Sequence, residues 1–275
     1  RIALLASPVP DHREVLAFRA HIARIALRQR LCPSIRRDRL GVGLCRGGIR
    51  GGLVREQLGV CRAFLDLDIL EFSDYVVPNQ ALADGDLQAN SFQHQPYLDN
   101  QVKDRGFDLV SVGQTVNFPM GIYSKKVKSL DELKNGASIA IPNDPTNGGR
   151  ALLILADKGL IKLRDGAGLK VSPADVVENP KNFTFAELDA AQLPRALDDV
   201  DASVINTNYA LEAGLDPAKD PIAREGEKAP YINVIAVRSA DKDAAWVKTL
   251  VESYHSAPVK DFVAKQFKGA VIAAW

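Results

Sequence analysis

The stretch IAIPNDPTNGGRALLIL, residues 139–155, decides the fold because it joins a strand, a turn and a helix. Residues 137–141 are apolar apart from Ser138, which predicts a buried strand. Residues 144–160 carry apolar side chains at helical spacing, and Gly159 stands near the end of that run. A strand followed by a helix in this way is the repeating unit of an α/β fold.

The same alternation extends outward through the rest of the chain. Further strands are predicted at residues 65–72, 87–92, 108–112, 120–123, 183–188, 203–205 and 231–237. Helices are predicted at residues 78–85, 94–103 and 129–136, the last from a capping box that begins at Ser129, and two amphipathic helices end the chain. The pattern predicts an α/β architecture with mostly parallel sheets, which bind ligands at the carboxyl ends of their strands.

Two kinds of side chain follow the predicted strands. Aromatic residues come from the first half of the chain, whereas amides and one arginine come from the second. The aromatic set would form an apolar wall for an uncharged ligand side chain: Tyr75, Phe92, His94 and Tyr97. The planar guanidinium of Arg150 can hold a carboxylate bidentately, and the side-chain carbonyls of Asn206 and Asn208 can accept from an ammonium group. This combination suits an amphipathic zwitterion.

Each of these residues also has a purely structural interpretation. Arg150 could lie on a helix surface, Phe92 could be core, and Tyr97 could pack against its helix neighbour. His94 could cap the helix that follows it, and Asn206 and Asn208 could cap a helix that starts near residue 209. The coincidence of all of them at strand ends is what favours a binding site.

Composition excludes several classes of function. The formal net charge is +1, which gives no global indication of nucleic-acid binding, so no nucleic-acid partner is expected. The sequence shows no nucleophile motif, no Gly-rich phosphate loop and no metal-ligand spacing around its 3 cysteines, Cys32, Cys45 and Cys61. The chain is therefore not expected to be an enzyme, and no cofactor or metal is expected.

The basic residues change type along the chain. Residues 1–62 hold 13 Arg and no Lys, whereas residues 63–275 hold 6 Arg and 16 Lys. Residues 19–62 could be a basic arm for nucleic acid, a divergent natural segment, or an out-of-frame or misassembled stretch. We favour the third, because the arginines lack interleaved aromatic residues and residues 36–52 show no helical or strand period. The chain lacks an initiating Met and a recognisable secretory signal, so it is expected to be processed or a fragment.

Several long segments in a fixed order resemble the NlpA/MetQ family of methionine-binding lipoproteins of ABC importers. The segments are EFSDYVVPNQALADGDLQANSFQHQPYLDN (71–100), MGIYSKKVKSLDEL (120–133), IAIPNDPTNGGRALLIL (139–155), AELDAAQLPRALDDVDASVINTNYALEAGL (186–215) and the final AAW (273–275). The resemblance runs from about residue 65 to the end of the chain. Residues 2–6 and 7–18 would correspond to the first strand, loop and helix of the family.

The resemblance implies a two-lobed periplasmic-binding-protein fold, type II-like, with crossover strands. Lobe 1 would comprise residues 1–124 and 230–275, and lobe 2 residues 125–229. Methionine would bind between the lobes, against the aromatic wall already named. Its backbone would be held by Asn147, Arg150, Asn208 and Asn233, with Asn206 as a further candidate.

The function implied is that of a non-catalytic receptor that delivers methionine to a membrane permease and its ATPase. The full-length protein would be periplasmic or in the cell envelope, and lipid-anchored. The alternatives are a receptor for another small neutral amino acid or a Met-containing dipeptide, and a surface adhesin that retains the fold. One departure from the family is Gly148, where a bulkier residue is common, so a looser pocket floor is expected.

Overall fold

The computed structural model describes residues 2–4, 65, 67–226 and 229–275. The predictions for residues 7–18, for the Arg-rich stretch and for the three cysteines lie outside the described residues. The strands are β1 Ile2–Leu4, β2 Ile69–Leu70, β3 Ala89–Ser91, β4 Leu109–Asn117, β5 Gly121–Tyr123, β6 Ser138–Pro142, β7 Lys162–Leu163, β8 Val176–Glu178, β9 Thr184–Leu188, β10 Ala202–Ile205, β11 Ala223–Arg224, β12 Ile232–Arg238 and β13 Ile272–Ala273.

The helices of the described residues include seven α-helices and four 3₁₀ turns. The α-helices are α1 Val77–Asp84, α2 Gln95–Arg105, α3 Pro145–Asp157, α4 Leu193–Ala196, α5 Thr207–Glu212, α6 Ala245–Tyr254 and α7 Ala257–Phe267. The 3₁₀ turns are Leu130–Glu132, Pro173–Asp175, Ala190–Gln192 and Ser239–Asp241. Within the described part of the chain, no helix combines the length and apolar character that a membrane span requires.

Two sheets form the centres of two lobes, which confirms the predicted two-lobed α/β architecture. The first sheet has the order β13-β4-β12-β3-β1-β2, and the second has the order β11-β5-β10-β6-β9. The prediction of mostly parallel sheets was wrong. Parallel pairing is confined to β1 with β2 and β3, and to β6 with β9 and β10, and the other pairs of these two sheets are antiparallel. Strands β5 and β12 enter their sheets from the opposite lobe, so no helical crossover within one sheet makes them parallel to their neighbours.

The chain crosses between the lobes at two segments. Residues 118–120 lead from β4 in the first sheet to β5 in the second. The chain returns to the first sheet between β11 and β12. Strand β5 pairs with β10 and belongs to the second sheet, and the predicted boundary at residue 124 falls just after it. The division into lobes at that residue stays a prediction.

Local sequence explains where several helices begin and end. Helix α1 ends at Gly85, whose φ of 88° is strained for residues with a side chain. Asp144 precedes α3, and its carboxylate accepts from the backbone N–H groups of Thr146 and Asn147. The capping box predicted at Ser129 was wrong, because its side chain makes no capping bond and only a single 3₁₀ turn follows.

The predicted apolar faces form the core. Leu152 and Leu155 of α3 are fully buried and belong to one cluster with Ile139 and Ile141 of β6. Complete burial of such a side chain contributes about 1.5 to 3 kcal/mol. The faces predicted for α6 and α7 are likewise buried against the first sheet at positions that include Val247, Leu250, Val259 and Val263. The packed helices hold both sheets rigid and leave the strand ends to form a site.

Candidate functional site

The predicted site residues follow four strands whose ends meet between the lobes. Tyr75 comes after β2, and Phe92 and His94 come after β3, all in the first lobe. From the second lobe, Asn147 and Arg150 lie in α3 after β6, and Asn206 and Asn208 follow β10. Hydrogen bonds join the two groups directly, from Tyr75 to Asn208 and from His94 to Asn147. The sequence-based choice of loops therefore identified residues that lie together in the fold.

Aromatic rings form one continuous cluster on the first lobe. The centroid of Tyr75 lies 6.1 Å from that of Phe92 and 6.2 Å from that of Tyr97. Phe92 and Tyr97 contact each other edge to face at 6.1 Å, and His94 contacts Tyr97 at 6.2 Å. Such edge contacts hold rings in a fixed orientation. These four residues thus form one aromatic wall, and its contact with a ligand side chain stays a prediction.

His94 is a neutral, oriented imidazole. Its Nδ1 accepts from the backbone N–H of Tyr97 at 3.1 Å, which confirms that it caps α2. The proton must therefore lie on Nε2, which faces Asn147 Oδ1 at 3.2 Å and donates to it. Burial and the nearby charge of Arg150 lower the pKa of His94 from 6.5 to about 3. The ring accordingly stays neutral at any physiological pH.

A chain of amides continues from His94 into the second lobe. Asn147 Oδ1 also accepts from Asn206 Nδ2 at 2.9 Å, and Asn147 Nδ2 donates to Asp144 at 2.9 Å. Asn206 precedes α5, but its side chain makes no capping bond, so the capping alternative was wrong for this residue. Asn206 Oδ1 is buried without a hydrogen-bond partner among the described residues. A buried acceptor of this kind favours a ligand that donates hydrogen bonds.

Arg150 is buried, with only 3% of its surface exposed, so the helix-surface alternative was wrong. Its Nε donates to Glu225 Oε1 at 2.9 Å, and its Nη2 contacts Glu225 Oε2 and donates to the carbonyl of Phe118 at 2.8 Å. The guanidinium also lies over the ring of Tyr231, 4.3 Å from its centroid.

This geometry corrects the predicted use of Arg150. A protein carboxylate already occupies the Nε–Nη2 edge of the fork. Of the five N–H groups of an arginine, these contacts account for those on Nε and Nη2. A ligand carboxylate would therefore accept hydrogen bonds from the remaining amino group, Nη1.

Tyrosine hydroxyls make further bonds between the lobes. Tyr75 donates to Asn208 Oδ1 at 2.5 Å, and Tyr209 donates to the carbonyl of Ser73 at 3.3 Å. Burial and the neighbouring Tyr209 raise the pKa of Tyr75 well above its ordinary value, so its hydroxyl remains a donor. Asn208 lies inside α5, which makes the capping alternative wrong for it as well.

Asn233 lies next to the aromatic wall on β12. Its Nδ2 donates to the carbonyl of Phe92 at 3.1 Å, and its backbone forms an isolated bridge with His94. The side chain thus fixes the turn that carries two wall residues. Its predicted contact with a ligand backbone stays a prediction.

Sequence reasoning missed three residues of this site. The ring centroid of Tyr209 lies 5.0 Å from that of Tyr75. Tyr209 directly follows Asn208 after a predicted strand end, so its position in the sequence could have indicated it. The ring of Tyr231 lies 5.1 Å from that of His94, but the sequence predicted Tyr231 as the first residue of a strand and not as a residue that follows one. Glu225 follows β11, a strand that no pattern predicted, so nothing local indicated it.

Gly148 lies close to the end of β6. A Cβ at this position would lie 2.6 Å from the carbonyl oxygen of Pro142, so the position faces the backbone at the end of β6. The expectation of a looser pocket floor stays a prediction. The glycine allows α3 to approach its strand closely.

A buried amide network supports the wall from behind. Asn79 and Gln93 exchange two hydrogen bonds of 2.7 Å, and Asn90 donates to Asn79 Oδ1 at 2.9 Å. All three residues are buried. This network fixes the first turn of α1 against the segment that carries Phe92 and His94. Among the residues that the structure describes, no group of three or more His, Cys, Asp or Glu side chains is arranged to hold a metal ion.

The chain is similar to proteins of known type over most of its length. The family model described as NlpA lipoprotein matches residues 53–275. The D-methionine-binding lipoprotein MetQ of Salmonella typhimurium is 54% identical over 213 residues, which are 77% of this chain and 79% of that protein.

The chain is also similar to solved structures. A nutrient binding protein from Burkholderia cenocepacia bound to methionine is 46% identical, has a TM-score of 0.81, and is matched over 100% of this chain and 99% of that one. An ABC transporter periplasmic substrate-binding protein from Coxiella burnetii is 40% identical, with a TM-score of 0.80 and a match over 100% of this chain and 99% of that one.

Proposed function

Since the chain belongs to the NlpA lipoprotein family, we propose that it is the substrate-binding protein of an ABC importer and that it binds methionine between its two lobes. It has no enzymatic role in this proposal. The observation that carries it is the meeting of His94 and Asn147, where an aromatic wall from one lobe reaches the amide chain of the other. A ligand placed at this junction would touch both lobes at once.

Each part of methionine has a chemical counterpart in the site. The thioether would lie against the rings of Tyr75, Phe92 and Tyr97, since sulfur–aromatic contacts contribute about 0.3 to 1.5 kcal/mol. The ammonium group would donate to the buried Oδ1 of Asn206. The carboxylate would accept from Nη1 of Arg150. Asn147, Asn208 and Asn233 would complete the polar shell through their amides.

Transport would depend on closure of the lobes about the connections from β4 to β5 and from β11 to β12. A ligand that contacts both lobes only in the closed state favours that state by its differential contacts. The closed, loaded protein would then dock on a membrane permease that is driven by its ATPase. In this proposal the boundary of lobe 1 lies before β5, because β5 belongs to the second sheet.

Titration calorimetry with purified protein tests the proposal. Methionine is expected to bind, and Arg150→Ala is expected to weaken it at least about tenfold, because a charge-assisted hydrogen bond is lost. Arg195→Ala is the matched control, since Arg195 is exposed on α4 of the same lobe. A loss below tenfold for Arg150→Ala would show that the carboxylate is held elsewhere.

The same measurement separates the alternatives. A panel of small neutral amino acids and Gly-Met competes with labelled methionine, and methionine is expected to bind most tightly. Tighter binding of another member would assign a different substrate. Absence of any binding would favour an adhesin that keeps the fold, and chemical turnover of the ligand would contradict a receptor role.

We also propose a place in the cell envelope, on the periplasmic side, with the full-length protein anchored by lipid. The names of the relatives, which include lipoproteins and a periplasmic protein, support this location. Incorporation of labelled palmitate into the product of the full gene tests the anchor. A product that is released in soluble form without label would contradict it.

A further inference from the structure

The ion pair of Arg150 with Glu225 is the strongest electrostatic feature of the site. Glu225 is 8% exposed and Arg150 is 3% exposed. Both oxygens of Glu225 accept hydrogen bonds, from Nε and Nη2 of Arg150 and from the backbone N–H of Met120 at 3.2 Å. A carboxyl group that only accepts is ionised. A buried anion therefore stands directly against the cation that would receive the ligand carboxylate.

The charges around Arg150 leave the site without a net positive charge. Arg150 contributes one positive charge and Glu225 cancels it. His94 contributes none, because its Nδ1 accepts from a backbone N–H and the ring is neutral. The other carboxylate near the amide chain, Asp144, caps α3 and also bonds to Asn147. Among the residues that the structure describes around this site, no surplus cation is thus available to hold a simple anion.

We propose that Glu225 is a specificity-determining residue that restricts the site to zwitterions by cancelling the charge of Arg150. The inference rests on the proposed function and names the ligand class of that same site. A carboxylate ligand without an ammonium group would be attracted by Arg150 and repelled by Glu225, so it would gain little from the pair. A ligand ammonium is attracted by Glu225 and also satisfies the buried Oδ1 of Asn206.

A purely structural role for Glu225 makes a different prediction. Glu225 lies in the connection from β11 to β12. Its side chain accepts hydrogen bonds from Arg150 of α3 and from the backbone of Met120 in the other crossover segment. If that connection were its only role, its loss would weaken every ligand by a similar factor. A role in selectivity requires changes of opposite sign for ligands of opposite charge.

The experiment uses the full chain with Glu225→Gln and three ligands. These are methionine, its hydroxy analogue 2-hydroxy-4-(methylthio)butanoate, which is an anion, and methionine amide, which is a cation. In the variant, the affinity of the hydroxy analogue relative to methionine is expected to rise at least about tenfold, and that of the amide to fall about tenfold. Equal changes for all three ligands would overturn the inference.

Two controls keep the outcomes distinct. Glu178→Gln removes a carboxylate of the same lobe that pairs with Lys162 at the surface, and it is expected to leave both ratios unchanged. If wild-type protein binds none of the three ligands, the proposed function fails first. If Glu225→Gln does not fold, the wild type decides: it is expected to prefer methionine over the hydroxy analogue by at least about tenfold, and any smaller preference overturns the inference.

Discussion

The neutral imidazole of His94 makes a quantitative prediction about stability and pH. In the folded protein, burial and the charge of Arg150 lower the pKa of His94 from 6.5 to about 3. Between these two values the unfolded chain binds a proton that the folded chain does not. Stability is therefore lost as pH falls below about 6.5, and the loss is complete near pH 3. At about pH 4.5, two units below the unfolded pKa, the loss is about 2.7 kcal/mol.

Other groups titrate over the same range, so a matched variant isolates this term. Glutamine at position 94 cannot be protonated, and its Nε2 can still donate toward Asn147. We expect the free energy of unfolding of the wild type to fall by about 2.7 kcal/mol more than that of His94→Gln between about pH 7.5 and pH 4.5. Urea unfolding followed by circular dichroism measures both values, and any constant cost of the substitution cancels in the difference.

The result that refutes this reasoning is a difference below about 1 kcal/mol. It would mean that His94 takes up a proton in the folded state and that Asn147 does not accept from a neutral ring. Nitrogen chemical shifts of the imidazole give an independent check, because a neutral ring with the proton on Nε2 has two distinct nitrogens. The same shifts should persist at about pH 5 if the pKa of His94 is near 3.

Four further measurements test the fold and the site. Gly149→Ala should lower the free energy of unfolding by about 1 to 3 kcal/mol, because a Cβ there would collide with the backbone at Leu169. In an ordinary helix the same substitution raises the free energy of unfolding by about 1 kcal/mol. Gly226→Ala meets open space and is its control in the same urea experiment. Asn79→Ala should cost about 1 to 3 kcal/mol, because it leaves a buried amide of Gln93 without its partner, and an unchanged urea midpoint would contradict the network. Glu212 has its pKa raised by burial to about 7, so its charge opposes folding as pH rises above about 4.5. Glutamine at that position should therefore raise the melting temperature at about pH 8 and leave it nearly unchanged at about pH 4. Methionine at about 100 times its Kd should stabilise the protein by about 2.7 kcal/mol, and a scan without any shift would speak against binding.

Local sequence was enough to predict most helices and the loops that carry the site. Asp144 before Pro145 marked the start of α3, and Gly85 marked the end of α1. The side chains of Phe92 and Arg150 could be placed because a strand end fixes where the next residues point. These features depend on neighbours within a few positions, which is the range over which sequence patterns carry information.

Long-range partners could not be predicted in the same way. Glu225 lies 75 positions from Arg150, and its segment has neither a helical nor a strand period. The antiparallel pairing of β12 with β4 depends on the chain returning from the other lobe, which no local pattern records. The most consequential omission followed from this limit: the sequence predicted Arg150 as a site residue but gave no sign of Glu225, whose carboxylate occupies its fork.

Direct bonds between the lobes bear on how much a ligand must contribute to closure. Three of them lie in the site as described: Tyr75 to Asn208, His94 to Asn147, and Tyr209 to Ser73. At about 0.5 to 1.5 kcal/mol each, they favour the closed arrangement by roughly 1.5 to 4.5 kcal/mol. In the proposed mechanism, the ligand then supplies only the remainder of the free energy that closing requires. Binding affinity would therefore depend on residues that bond across the lobes as well as on those that touch methionine, because an equilibrium that already favours closure raises the fraction of protein competent to hold the ligand.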